Sequence, residues 1–151
     1  SGAAPVAKYL ARNVNVALGT DGAASNNRLD LFEEMRLASL LAKVTSGDAA
    51  SVPAATALRM ATLNGAIALG LDAEIGSLRV GKAADLTAVR IGDLETLPMY
   101  DPVSHLVNAV SREHVSDVWI GGARLLEGRE LQGMDSAALA SRARAWQQRL
   151  A

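Results

Sequence analysis

The sequence predicts an α/β fold followed by a small antiparallel sheet and a C-terminal helix. Three observations carry this expectation. A short apolar run, Val14–Leu18, enters a loop rich in Gly, Ala, Ser and Asn and is followed by a long helical pattern, the βα rhythm of a parallel α/β architecture. The stretch VSDVWIGGARLLEG places two apolar runs on either side of Gly121-Gly122, a hairpin signal. The tail from Asp135 sets Leu139, Ala140, Ala143, Trp146 and Leu150 on one side of a helix.

The elements are expected in this order. Pro5 to Arg12 reads as a short helix, with Pro5 suited to the first turn. Val16, Ala17 and Leu18 do not alternate with polar residues, which predicts a strand buried on both faces. Asp21 to Asn27 is loop. Asp30-Leu31-Phe32-Glu33 resembles a capping box that opens a helix to about Val44, with Leu31, Met35, Leu37, Leu40 and Leu41 on its apolar face. Ser51 is a candidate N-cap and Pro53 a first-turn residue for a helix that runs to Leu69 and stops at Gly70. IGSLRVGKAADLTAVRI has short β-type runs punctuated by Gly76 and Gly81. Asp101 to Val110 is a candidate short helix before the hairpin.

Composition bounds the function. The chain has 151 residues, 50% hydrophobic, 3% aromatic and 21% charged, a globular composition able to bury a core. Its net charge of −1 leaves no basic face for nucleic acid or anionic lipid. No apolar run is long enough to span a membrane, and the N-terminus shows no charged-then-apolar leader pattern. The absence of cysteine excludes disulfides and thiolate metal sites, and the expected location is cytoplasmic. The chain opens on Ser1 rather than Met, which leads to the expectation of a piece of something longer.

Asp21 is the candidate site residue. In a parallel α/β barrel, side chains at the C-terminal ends of strands face the active site. A carboxylate just past such an end can bind a metal, take a proton from a water, or both. Gly19 and Gly22 let the backbone turn tightly beside it. The competing reading is that Asp21 caps a turn. Ser25, Asn26 and Asn27 follow it, and either orient the Asp21 carboxylate or line the pocket, or bond within their own loop and cap the helix. Glu33 and Glu34 are adjacent on a helix and point about 100° apart, which argues against a paired acid and base. Gly76-Ser77 and Gly81-Lys82 lack phosphate-loop spacing. Asp85 is expected to anchor its turn, and Trp119 and Trp146 to pack.

VALGTDGAASNNRLDLFEEMRLASLLAK resembles the last barrel strand and following helix of the amidohydrolase superfamily. ATLNGAIALGLDAEIGSLRVGKAADLTAV is similar to that superfamily's passage from barrel to flanking β-sandwich, and YDPVSHLV and VSDVWIGGARLLEG match the branch of S-adenosylhomocysteine and 5'-methylthioadenosine deaminases and triazine chlorohydrolases. SGAAPV is similar to the loop after the preceding strand, which implies that Ser1-Gly2 is native. The resemblance implies that residues 1–70 are the end of a TIM-like (β/α)8 barrel, 71–134 part of the β-sandwich, and 135–151 a C-terminal helix. It implies that Asp21 binds one divalent metal, zinc or alternatively iron(II), and shuttles protons, with Gly22, Ser25 and Asn26 on the substrate loop. It implies a nucleoside substrate, deaminated to an inosine-type product and ammonia. The alternatives are a chlorohydrolase, another aminohydrolase of triazine, guanine or cytosine type, or a non-catalytic module.

The family's other ligands, histidines and a ring-protonating glutamate, have no match here. His105 and His114 fall in outer segments, where a surface or packing role is expected. One carboxylate cannot hold a catalytic zinc, which takes three protein ligands plus water. The chain alone is therefore expected to be inactive, with the upstream part of the same polypeptide as its partner and homo-oligomers a further possibility.

Overall fold

The computed structural model describes residues 2–150. Ser1, on which the reading of a native opening partly rested, and Ala151, the end of the expected tail, lie outside the described residues. The helices are α1 (Val6–Leu10), α2 (Leu31–Ser46), α3 (Ala54–Ala61), α4 (Leu63–Leu69), α5 (Pro102–Asn108) and α6 (Ser136–Leu150); the strands are β1 (Leu86–Val89), β2 (Val115–Ile120), β3 (Ala123–Glu127) and β4 (Glu130–Leu131).

Local chemistry fixes the helix ends. Asp30, only 2% exposed, accepts bonds from the Phe32 (3.0 Å) and Glu33 (3.4 Å) N–H groups and starts α2. The predicted capping box is half formed, because Glu33 turns outward to pair with Arg28 (3.1 Å). Gly47 at φ +69° ends the helix. The single helix expected from Ser51 to Gly70 is two. Thr62 breaks it at φ −126°, ψ −94°, with its hydroxyl donating to the Leu58 carbonyl (2.7 Å). Pro53, not Ser51, takes the N-cap position of α3, and Gly70 at φ +70° ends α4 as expected. Asp101 caps α5 through bonds from the Val103 and Ser104 N–H groups.

Met35 and Ala42 of α2, Val52 of the α2–α3 connection, Ala57 and Met60 of α3, and Val107 of α5 form the buried cluster. Ser39 and Lys43 donate to the Val52 carbonyl and bind the α2–α3 connection to the helix that precedes it.

The strand expected at Val14–Leu18 makes no ladder among the described residues. The segment instead bonds to helices: the Leu18 N–H donates to the Met60 carbonyl (3.0 Å), the Asn64 side chain donates to the Val16 carbonyl (2.8 Å), and Asn15 donates back to Asn64 (3.0 Å). Val16 and Leu18 pack against the core cluster, while Asn15, Ala17 and Gly19 are exposed. One face of the expected two is covered.

The sheet is antiparallel throughout, in the order β1-β2-β3-β4. The hairpin is where the Gly pair placed it. Gly121 and Gly122 sit at φ +56° and +81°, the two positive values that a primed two-residue turn needs. Asp85 anchors that turn by accepting from the Gly121 N–H (2.7 Å). The β-type runs expected around Gly76 and Gly81 reduce to β1 alone, because residues 71–85 are turns, bends and irregular chain. At φ +82°, a Cβ on Gly76 would lie 2.6 Å from the Ala66 Cβ, so this turn is seated directly on α4.

Trp146, expected in a core or against a neighbouring domain, joins no core among the described residues. Every described residue of α6 is exposed, and Trp146 is 55% exposed. No described helix is long and apolar enough to cross a membrane.

Candidate active site

Asp21 follows the Val16–Leu18 segment, in which Val16 and Leu18 pack on the core, and opens the loop that leads to α2. Its backbone is left-handed, at φ +59°. Non-glycine residues occupy this region rarely, and such strain concentrates at functional sites. The Gly22 N–H donates to Asp21 Oδ1 (2.6 Å) and the Thr20 hydroxyl donates to the Asp21 carbonyl (3.1 Å). The carboxylate is therefore held by one oxygen, and Oδ2 takes no bond among the described residues. The side chain is exposed, free to meet a ligand or a further protein surface.

Gly22 closes the next turn, with its carbonyl accepting from the Ser25 (3.0 Å) and Asn26 (2.9 Å) N–H groups. Asn26 does not reach Asp21. Its amide donates to Glu34 Oε1 (2.6 Å) and its oxygen accepts from the Arg28 N–H (3.2 Å). Ser25 is exposed on the loop. The structure thus joins Asp21 to Gly22, while Ser25 and Asn26 share only the loop.

Two anchoring residues had no signal in the sequence. Glu34, dismissed there as a catalytic acid, ties the loop to the first turn of α2 through Asn26. Arg112 donates from Nη1 to the Arg28 carbonyl across 84 residues of sequence, and so ties the loop end to the turn before β2. Eight residues separate Asn26 from Glu34, and a loop imposes no periodicity that would pair them. No local pattern could have suggested the second contact. A concavity lined by Arg28, Asp30, Phe32, Arg36, Leu40 and Ser111 adjoins α2 but does not include Asp21, and Arg28 is paired there with Asp30 and Glu33.

The histidines are structural. His105 Nδ1 lies 3.2 Å from the Asp101 carbonyl within α5, and His114 Nδ1 accepts from the Ser111 N–H (3.2 Å) in the turn before β2. Two carboxyls in the sheet region are well below their ordinary range. Glu113 is lowered to about 2, first by the Ser111 hydroxyl and then by a backbone N–H. Asp117 is lowered to about 2 by the Ser116 hydroxyl, by Arg124 and by the Gly128 N–H. Neither belongs to the Asp21 loop.

No three His, Asp or Glu side chains converge among the described residues in a way that could hold a metal. Asp21 supplies one hard oxygen donor, and a catalytic zinc site takes three protein ligands. The residues present do not by themselves fit a metal ion.

Residues 1–125 match the Amidohydrolase family. The 5-methylthioadenosine/S-adenosylhomocysteine deaminase of Teredinibacter turnerae is 45% identical over 150 residues, covering 99% of this chain and 34% of that protein. An adenosine deaminase from Xanthomonas campestris, solved with bound zinc, superposes with a TM-score of 0.96 at 50% identity, covering 99% of this chain and 34% of the other. An atrazine chlorohydrolase from Arthrobacter aurescens, complexed with zinc, gives a TM-score of 0.86 at 30% identity over 95% of this chain and 32% of the other. The chain spans about a third of the length of the relatives it matches. With 125 of its 151 residues matched and its fold shared with these enzymes, the chain belongs to the amidohydrolase family.

Proposed function

We propose that this chain is the C-terminal third of a cytoplasmic, metal-dependent hydrolase that deaminates an adenine nucleoside, with 5'-methylthioadenosine or S-adenosylhomocysteine as substrate. In this reading residues 1–70 close a (β/α)8 barrel and residues 71–134 form part of a β-sandwich beside it. The exposed, one-sided segment Val14–Thr20 supports the barrel reading, because its free face and backbone suit a neighbouring strand from upstream.

The single observation that carries the proposal is Asp21: a carboxylate on a strained left-handed residue, held through Oδ1 by Gly22, with Oδ2 free. Such a group is pre-oriented to accept a proton without a change of rotamer. In the reaction, water adds to C6 of the adenine and gives up a proton. Asp21 Oδ2 accepts that proton, while the ring nitrogen N1 takes the electron pair and a proton from an upstream acid. Asp21 then passes its proton to the amino group, which leaves as ammonia, and the remaining hydroxyl proton returns to the upstream acid as C6 becomes a carbonyl and N1 keeps its hydrogen. Gly22 keeps the carboxylate on axis through both transfers. One divalent metal, zinc, held by Asp21 together with upstream residues, would supply a water acidic enough to react near neutral pH. This chain alone, with one ligand of the set, is inactive in this reading.

The test uses the polypeptide with its upstream part. Each nucleoside is added, and ammonia release is followed with the absorbance change from adenine to hypoxanthine. Turnover of either one supports the proposal. Hydrolysis of a chlorotriazine with neither nucleoside turned over moves the chain to the chlorohydrolase alternative, favoured less because that relative shares only 30% identity.

A further inference from the structure

Helix α6 is amphipathic and unpartnered. At 100° per residue, Leu139, Ala143, Trp146 and Leu150 fall within an arc of about 60°. Arg142 and Arg149 line one flank of that stripe, and the Arg149 guanidinium lies 4.7 Å over the Trp146 ring. The helix carries three arginines and no acidic residue. A 15-residue helix resting on nothing is marginal in water, so one of this length is held by packing. The solved adenosine deaminase superposes over 99% of this chain, α6 included, so the helix keeps this placement within a chain three times as long.

We propose that the stripe Leu139–Ala143–Trp146–Leu150 docks on the upstream part of the same polypeptide, on an apolar surface edged by carboxylates that face Arg142 and Arg149. Trp146 is the anchor, since a large ring beside a guanidinium contributes both buried area and cation–π attraction. Pairing of α6 with its own copy about a two-fold axis would set four arginines, Arg142 and Arg149 of each copy, around one seam, and like charges so placed repel. The two thirds of the relatives' length outside this chain offer the surface that the copy does not. The inference rests on the reading that an upstream segment exists, but not on the reaction that the segment helps to perform.

Hydrogen exchange of α6 in the polypeptide with its upstream part is the test, with the synthetic peptide of residues 135–151 as the unprotected reference. We expect the α6 amides to exchange at least about 100-fold more slowly than in the peptide. The slowing should persist on dilution, be lost in Trp146→Glu and survive in Gln148→Glu on the opposite face. Exchange within about threefold of the peptide, or slowing that vanishes on dilution and so assigns the stripe to a second copy, overturns the proposal. Nucleoside deamination is measured on the same sample. Protection without activity leaves the docking standing and defeats the functional reading; activity without protection defeats the docking alone.

Discussion

Asp21 and Gly76 both hold positive φ values, and substitution at each tests a different part of the fold. At Gly76 the backbone and the space agree that no side chain fits: a Cβ would meet Ala66 Cβ at 2.6 Å and Leu63 Cα at 3.1 Å. Gly76→Ala should therefore destabilise by about 2 kcal/mol or more, read as a lower urea midpoint with an unchanged slope. Asn26→Leu should cost about 1 kcal/mol by removing the bond to Glu34, and should speed proteolysis within residues 22–29. The sequence placed Asp21 where an apolar run gives way to a loop, and that placement holds. The partners of Asn26 were not legible, since eight residues separate it from Glu34 and a loop imposes no periodicity.

At the scale of elements, caps and turns carried the strongest signals. Asp30 caps α2 from a buried position, and Asp30→Ala should cost about 1 kcal/mol, measured by thermal or urea unfolding. The Gly121-Gly122 hairpin and α5 were legible for the same reason, because their boundaries depend on residues within a few positions. The break at Thr62 was not, since the apolar pattern continues through it and only the backbone changes course. The Val14–Leu18 run read as a strand because its side chains suit one, but a ladder needs a neighbour that the described residues do not provide. The sheet also has an acid response. Glu113 and Asp117 are lowered from 4.5 and 3.8 to about 2, so their contribution is complete above the ordinary values and is lost as pH falls towards 2. Asp117→Asn should make the acid unfolding curve shallower across that window, as followed by circular dichroism.

For the whole molecule, the surface area is decisive. A compact monomer of 15.7 kDa exposes about 7,300 Å², whereas this chain exposes 10321 Å². The excess is distributed over faces that the sequence marked as apolar: Leu37, Leu40 and Leu41 of α2, Leu78 and Val80 before β1, and Trp146 of α6. A stand-alone binding module would cover such residues. Purified alone, the chain should bind a hydrophobic dye and self-associate; joined to its upstream part, it should do neither. In the proposed enzyme this surface closes around a site in which Asp21 moves the proton. The measurement that tests it most directly is kcat/KM for 5'-methylthioadenosine in the polypeptide with its upstream part, wild type against Asp21→Asn, at matched metal content. The expected loss is about 1,000-fold or more with the fold unchanged; an Asn variant within about tenfold of wild type would remove Asp21 from the mechanism.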